Sequence, residues 1–155
     1  MKNTIRIVLF CLLFTGCKKA DHVLDSQAPS IDLGHAKAFP KQCSVITKGD
    51  TVWLEAYLSD EGGLGSFSID IHHNFDQHSH STELLECVAE PVKEAVNPFV
   101  FIKTYAIEGA PKSHVAKVPL VIPETVDAGD YHFMIRVTDV QGWQTMRGIS
   151  IKINN

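Results

Sequence analysis

The strongest constraint on this chain is period-two alternation. In "GDYHFMIRVTD", residues 129–139, Tyr131, Phe133, Ile135 and Val137 alternate with His132, Met134, Arg136 and Thr138. Successive side chains of a strand point to opposite faces, so such a run is a half-buried strand and not a helix. The pattern recurs in "TVWLEAYLSD", where Val52, Leu54, Ala56 and Leu58 alternate with Trp53, Glu55 and Tyr57. It recurs in "SFSIDIH", where Phe67, Ile69 and Ile71 alternate with Ser68, Asp70 and His72. "CSVIT", "PFVFIKTYAIEG", "HVAKVPLVIP" and "WQTMRGISIKI" are further strand candidates, and "KGD", "EGGLG" and "VQG" are turns between runs. One stretch, "TELLECVAEPVKEAVN", is also compatible with a helical turn or two. About seven short strands predict an all-β fold, an antiparallel β-sandwich.

The segment "DAGDYHF", residues 127–133, resembles the tyrosine corner of immunoglobulin-like domains. There a tyrosine lies two residues before the core position that joins the two sheets. Phe133 fills that position here, so a bridge between Cys43 and Cys87 is not the usual one of such sandwiches. The resemblance makes "GDYHFMIRVTD" strand F and "SFSIDIHH" strand C of an immunoglobulin-like β-sandwich. In such sandwiches C and F are neighbours in one sheet.

The N-terminus follows a different logic. Lys2 and Arg6 form a positive start to an almost unbroken apolar run, Ile5 to Phe14, which is too short to cross a bilayer and reads as a secretory signal. The ending "LLFTGC" resembles a bacterial lipoprotein cleavage box, with Cys17 as the acylated residue. That likeness implies a signal peptide over 1–17, a tether over 18–28 and one domain over 29–155. It also implies a Gram-negative envelope protein held to the outer membrane by lipid, facing either the periplasm or the surface. With Cys11 removed and Cys17 acylated, Cys43 and Cys87 remain in an oxidising compartment. They form either a disulfide or two separate buried thiols. A formal net charge of −4 argues against nucleic acid, which needs a basic footprint.

"IHHNFDQHSH", residues 71–80, holds four of the eight histidines. If Ile71 faces the core, His72 faces out, and His132 does the same on strand F. Antiparallel pairing brings the end of C beside the start of F, so the two can meet. His78, His80 and Asp76 follow in the loop beyond, whereas His73 points the other way and is left out. His72, His78, His80 and His132 are therefore candidate ligands for a transition metal, Zn²⁺ or Cu²⁺. Asp76 is either a fifth ligand or a carboxylate orienting an imidazole. The competing reading is a solvated polar loop on a non-catalytic adhesion domain that binds an envelope protein or a glycan. No nucleophile elbow or phosphate loop is present, and the chain is read as a binding protein rather than an enzyme.

"IHHNFDQHSH", "GDYHF" and "VTDVQGW" together resemble a family of bacterial envelope lipoproteins known as domain of unknown function 4625. The likeness spans roughly residues 28 to 155. It places His72, His78, His80 and His132 in the family's pattern, with "NFDQHSH" as an NFDxHxH motif. It implies an immunoglobulin-like fold and an acylated envelope protein, and it supplies no activity.

Overall fold

The structure is a computed structural model that describes residues 26–78 and 87–155. The proposed signal peptide, the proposed acylation site Cys17 and most of the proposed tether lie outside the described residues. The described residues form eight strands: β1 (Ser30–Asp32), β2 (Ser44–Thr47), β3 (Thr51–Ser59), β4 (Leu64–His73), β5 (Phe101–Ala106), β6 (Ser113–Val121), β7 (Gly129–Asp139) and β8 (Gln144–Asn154). They form a three-stranded sheet of order β1-β3-β6 and a five-stranded sheet of order β2-β8-β7-β4-β5. Among the described residues no helix is long and apolar enough to cross a membrane.

Alternation places the core. Leu54, Ala56 and Leu58 of β3, with Ala116, Val118 and Leu120 of β6, face Phe67, Ile69 and Ile71 of β4. Tyr131, Phe133, Ile135 and Val137 of β7, with Ile151 and Ile153 of β8, complete the layer. Each such side chain removed from water contributes roughly 1.5–3 kcal/mol, so these two inner faces hold the sandwich together. The tyrosine corner is present. Tyr131 Oη donates to the Asp127 carbonyl at 2.6 Å and accepts the Phe99 amide at 3.1 Å. Burial of the ring raises the Tyr131 phenol pKa above its usual value.

The fold is an immunoglobulin-like β-sandwich, and it departs from the sequence reading in three details. β1 is an additional strand, whose three residues are too few to show a period. β2 pairs with β8 in parallel, because the chain crosses from one sheet to the other between β1 and β2. No helical turn occurs in residues 87–97; the rest of that stretch, from Thr82 to Glu86, lies outside the described residues.

Among its described residues the long connection from β4 to β5 contains no helix. Its described parts are fixed by polar contacts within the connection, to the start of β7 and the turn before it, and to β8. The Lys93 amide donates to the Phe75 carbonyl at 3.1 Å. The Glu90 amide donates to Asp130 Oδ2 at 2.6 Å. The Val96 and Asn97 amides donate to Asp127 Oδ2 at 2.8 and 2.7 Å. Lys152 Nζ reaches Glu90 Oε1 at 3.0 Å, and that hydrogen bond holds the ammonium pKa above its usual value. A disulfide joins Cys43, just before β2, to Cys87 in this connection, with a sequence separation of 44. Closing a loop of that size stabilises a fold by about 4 kcal/mol in a chain-entropy treatment.

Candidate metal centre

Strands β4 and β7 pair so that His72 and His132 lie directly across from each other. Asp70 faces Met134 one row further along, and both rows are on the outer face of the five-stranded sheet. Across β8 the same rows continue to Ser150, opposite His132, and Gly148, opposite Met134. Parity places His132 on the outer face, yet the residue is 0% exposed. The difference comes from the chain beyond β4, which folds back over the sheet.

That fold-back is built from "NFDQ". The Asn74 amide bonds the Asp130 carbonyl at 2.8 Å and continues the sheet for one residue. Phe75 then turns inward and is buried, packing edge-on against Tyr131 at 5.3 Å between ring centroids. Lys93 Nζ covers its other side at 4.4 Å from the centroid. Gly129 makes this seat possible. Its φ is +138°, and a Cβ there would lie 2.8 Å from Phe75 Cε1. Only glycine takes both that dihedral and that approach at low cost. The chain reverses as the Gln77 amide bonds the Asn74 carbonyl at 3.2 Å, with Gln77 itself at φ 57°. Gln77 Nε2 is held by the Glu90 carbonyl at 2.9 Å. The reversal delivers His78 above the two sheet histidines, where His132 Nε2 lies 3.1 Å from the His78 carbonyl.

Three imidazoles thus gather from positions far apart in sequence. Ring centroids are 4.8 Å apart for His78 and His132, 5.4 Å for His72 and His132, and 5.6 Å for His72 and His78. A tetrahedral ion with metal–nitrogen bonds of about 2.0–2.1 Å holds ring centroids roughly 5.2 Å apart. The three separations scatter around that value.

Two of the rings are backed by carboxylates. Asp70 Oδ1 lies 2.8 Å from His72 Nδ1, and Asp76 Oδ1 lies 2.6 Å from His78 Nδ1. The His78 hydrogen bond holds the Asp76 carboxyl below its usual pKa. An ionised carboxylate only accepts, so each Nδ1 carries the proton and the lone pair falls on Nε2. A carbonyl also only accepts, so His132 donates from Nε2 and carries its lone pair on Nδ1 in the neutral ring. Carboxylate–imidazole pairs of this kind orient histidines for metals. The donor atoms themselves do not yet surround one point. Among the described residues, no group of three or more His, Cys, Asp or Glu side chains is arranged to hold a metal ion.

Residues 15–154 match the model of a protein family described as Domain of unknown function (DUF4625). The chain belongs to the DUF4625 family. No curated protein matches it. The match spans "NFDQHSH" and "GDYHF", so both halves of the cluster lie within the DUF4625 region.

Of the residues singled out from the sequence of this DUF4625 protein, His72, His78 and His132 come together, and Asp76 sits behind His78 rather than among the rings. His80 lies outside the described residues. His73 is turned away, against Phe75 at 4.8 Å between centroids. Asp70 was not among the candidate ligands. Its signal is the same alternation that placed His72, because residues two apart on a strand share a face. Cys43 and Cys87 are bonded, and the Cys43 amide donates to the carbonyl of Ser150, the residue opposite His132. A separate groove of about 340 Å³, lined by Asp32, Tyr57, Ser113 and His114 among others, belongs to the three-stranded sheet and shares no residue with the cluster.

Proposed function

We propose that this DUF4625 protein is an acylated envelope lipoprotein that captures or delivers a transition metal. The ligand set in this reading is His72, His78 and His132 with His80, and the ion is zinc or copper. The observation that carries it is the gathering of three imidazole rings at 4.8–5.6 Å, two of them backed by carboxylates. Binding an ion would require the rings to reorient within this cluster, since their donor atoms do not surround one point. Two ligands lie on paired strands, which are rigid, and one lies on a segment pinned by Phe75.

Equilibrium dialysis of the purified protein followed by elemental analysis tests the reading. Near-stoichiometric zinc or copper is expected, and its loss in the double variant His78→Ala/His132→Ala with an unchanged β-sheet circular-dichroism spectrum. Absence of tightly held metal in the wild type sinks the reading.

A second reading is an interaction domain for an envelope partner. It is favoured by the apolar side chains left in water along the β4–β5 connection and β5, namely Val88, Val92, Val96, Val100 and Ile102. Partner binding that survives both chelation and the histidine changes would favour it over metal capture.

A further inference from the structure

Among the described residues, β1 and β6 are the edges of one sheet, and β2 and β5 are the edges of the other. Three of these edges resist a further strand. β1 and β2 are short, with three and four residues. β6 is longer and carries Pro119. The Ile122 amide bonds the Asp50 carbonyl and the Gly49 amide bonds the Ile122 carbonyl, so even-numbered residues here turn their backbone groups toward β3. Pro119 is odd-numbered, so its missing N–H falls on the free edge and blunts it.

β5 carries no such device. The Ile107 amide bonds the Gly65 carbonyl at 2.9 Å, and the same register turns the backbone groups of Phe101, Lys103 and Tyr105 toward β4. The N–H and C=O groups of Ile102, Thr104 and Ala106 therefore point out from the free edge. None of these three is charged or a proline. Ile102 is 67% exposed, and Val100, in line with it, is 56% exposed. An open edge lined by exposed apolar side chains is a template for another strand.

Register points to a second copy of this chain as that strand. Opposed residues of an antiparallel pair share a face, so a strand pairing with its own copy must centre on a residue. Centring on Lys103 sets two ammonium groups face to face, which is destabilising. Centring on Ile102 leaves Ala106 without a partner. Centring on Thr104 uses every outward group. Ile102 pairs with Ala106 of the second copy and Thr104 with its counterpart, each pair exchanging both N–H···O bonds. Lys103 then faces a tyrosine, Tyr105 of the second copy, and threonine opposite threonine is a favourable cross-strand pair.

We propose that β5 is a homodimerisation edge, where two copies pair about Thr104 into one continuous sheet. The contact is two-fold and closed, so it adds no third copy. It is independent of metal capture. Sedimentation equilibrium of the purified protein over a range of concentrations, with a chelator present, tests it. A monomer–dimer equilibrium is expected. Thr104→Pro removes an outward N–H and leaves the groups that bond β4 in place. It should weaken dimerisation at least about tenfold, because each copy loses a ladder bond. Amide exchange of the wild type needs no variant: Ile102, Thr104 and Ala106 should slow as concentration rises, while Lys103 and Tyr105 are slow throughout. A protein that stays monomeric overturns the proposal and leaves the edge to a different chain. A dimer that Thr104→Pro does not weaken, or that forms only without chelator, overturns it too, as do outward amides that exchange at one rate at every concentration.

Discussion

Asp70–His72 and Asp76–His78 are the same two-residue device used twice, once on a strand and once on the segment that folds over it. On β4 the extended chain puts Asp70 on the same side as His72, and at the reversal the left-handed Gln77, φ 57°, brings Asp76 beside His78; in both the short side chain meets Nδ1. The consequence is chemical. With Nδ1–H committed to a carboxylate, the ring is fixed in one tautomer and presents Nε2 as a more basic donor. His132 has no such carboxylate in its row, where its neighbours are His72 and Ser150. Its tautomer is set instead by the His78 carbonyl. Asp70→Ala and Asp76→Ala should each weaken metal binding about 10–100-fold, the usual loss when an orienting partner is removed. Isothermal titration with zinc and with copper checks this. Affinities equal to wild type would show that the carboxylates do not orient the rings.

At the scale of elements, the site exists because β7 begins with a glycine. Gly129 opens the space in which Phe75 lies against Tyr131, and Phe75 anchors the reversal that carries His78. Gly129→Ala adds a methyl group 2.8 Å from the Phe75 ring at a φ of +138°. Backbone strain and displacement of the ring together should lower stability by about 1–3 kcal/mol. Because the displaced ring is the anchor, metal affinity should fall in the same variant. Urea unfolding and metal titration of Gly129→Ala give the two readings. A stability loss with metal affinity intact would show that His78 is placed by other contacts. Much of this arrangement was legible in the sequence. Alternation set His72 and His132 on one face, and the tyrosine corner made their strands neighbours. What alternation does not encode is the return of the chain over that face. Parity therefore assigned His132 to the outer side correctly while its complete burial came from the loop. β1 went unread for a related reason: "SID" is shorter than any period it could display.

At the scale of the whole molecule, the described parts of the long β4–β5 connection have to be held against the sandwich without regular structure of their own. It is held by point contacts, of which Asp127 carries the most. Its carboxylate accepts two backbone amides of the connection, while its carbonyl accepts the tyrosine-corner hydroxyl. The Asn97 and Val96 amides, in that order, hold the carboxyl below its usual pKa. A depressed carboxyl pKa means that the unfolded chain takes up the proton first as the solution is acidified. The stabilisation is therefore complete above the unfolded value of about 3.9 and is lost as pH falls through the lower folded value. Asp127→Ala should be less stable than wild type at pH 7, and the two urea midpoints should converge as pH drops below about 4. The variant should also lose amide-exchange protection at Val96 and Asn97 at neutral pH. Both amides lie in the segment that also carries Cys87, Glu90 and Lys93, so the loss should spread to the Lys93 contact on Phe75. Midpoints that stay equally far apart at low pH would assign the effect to packing of the turn rather than to the charge on Asp127.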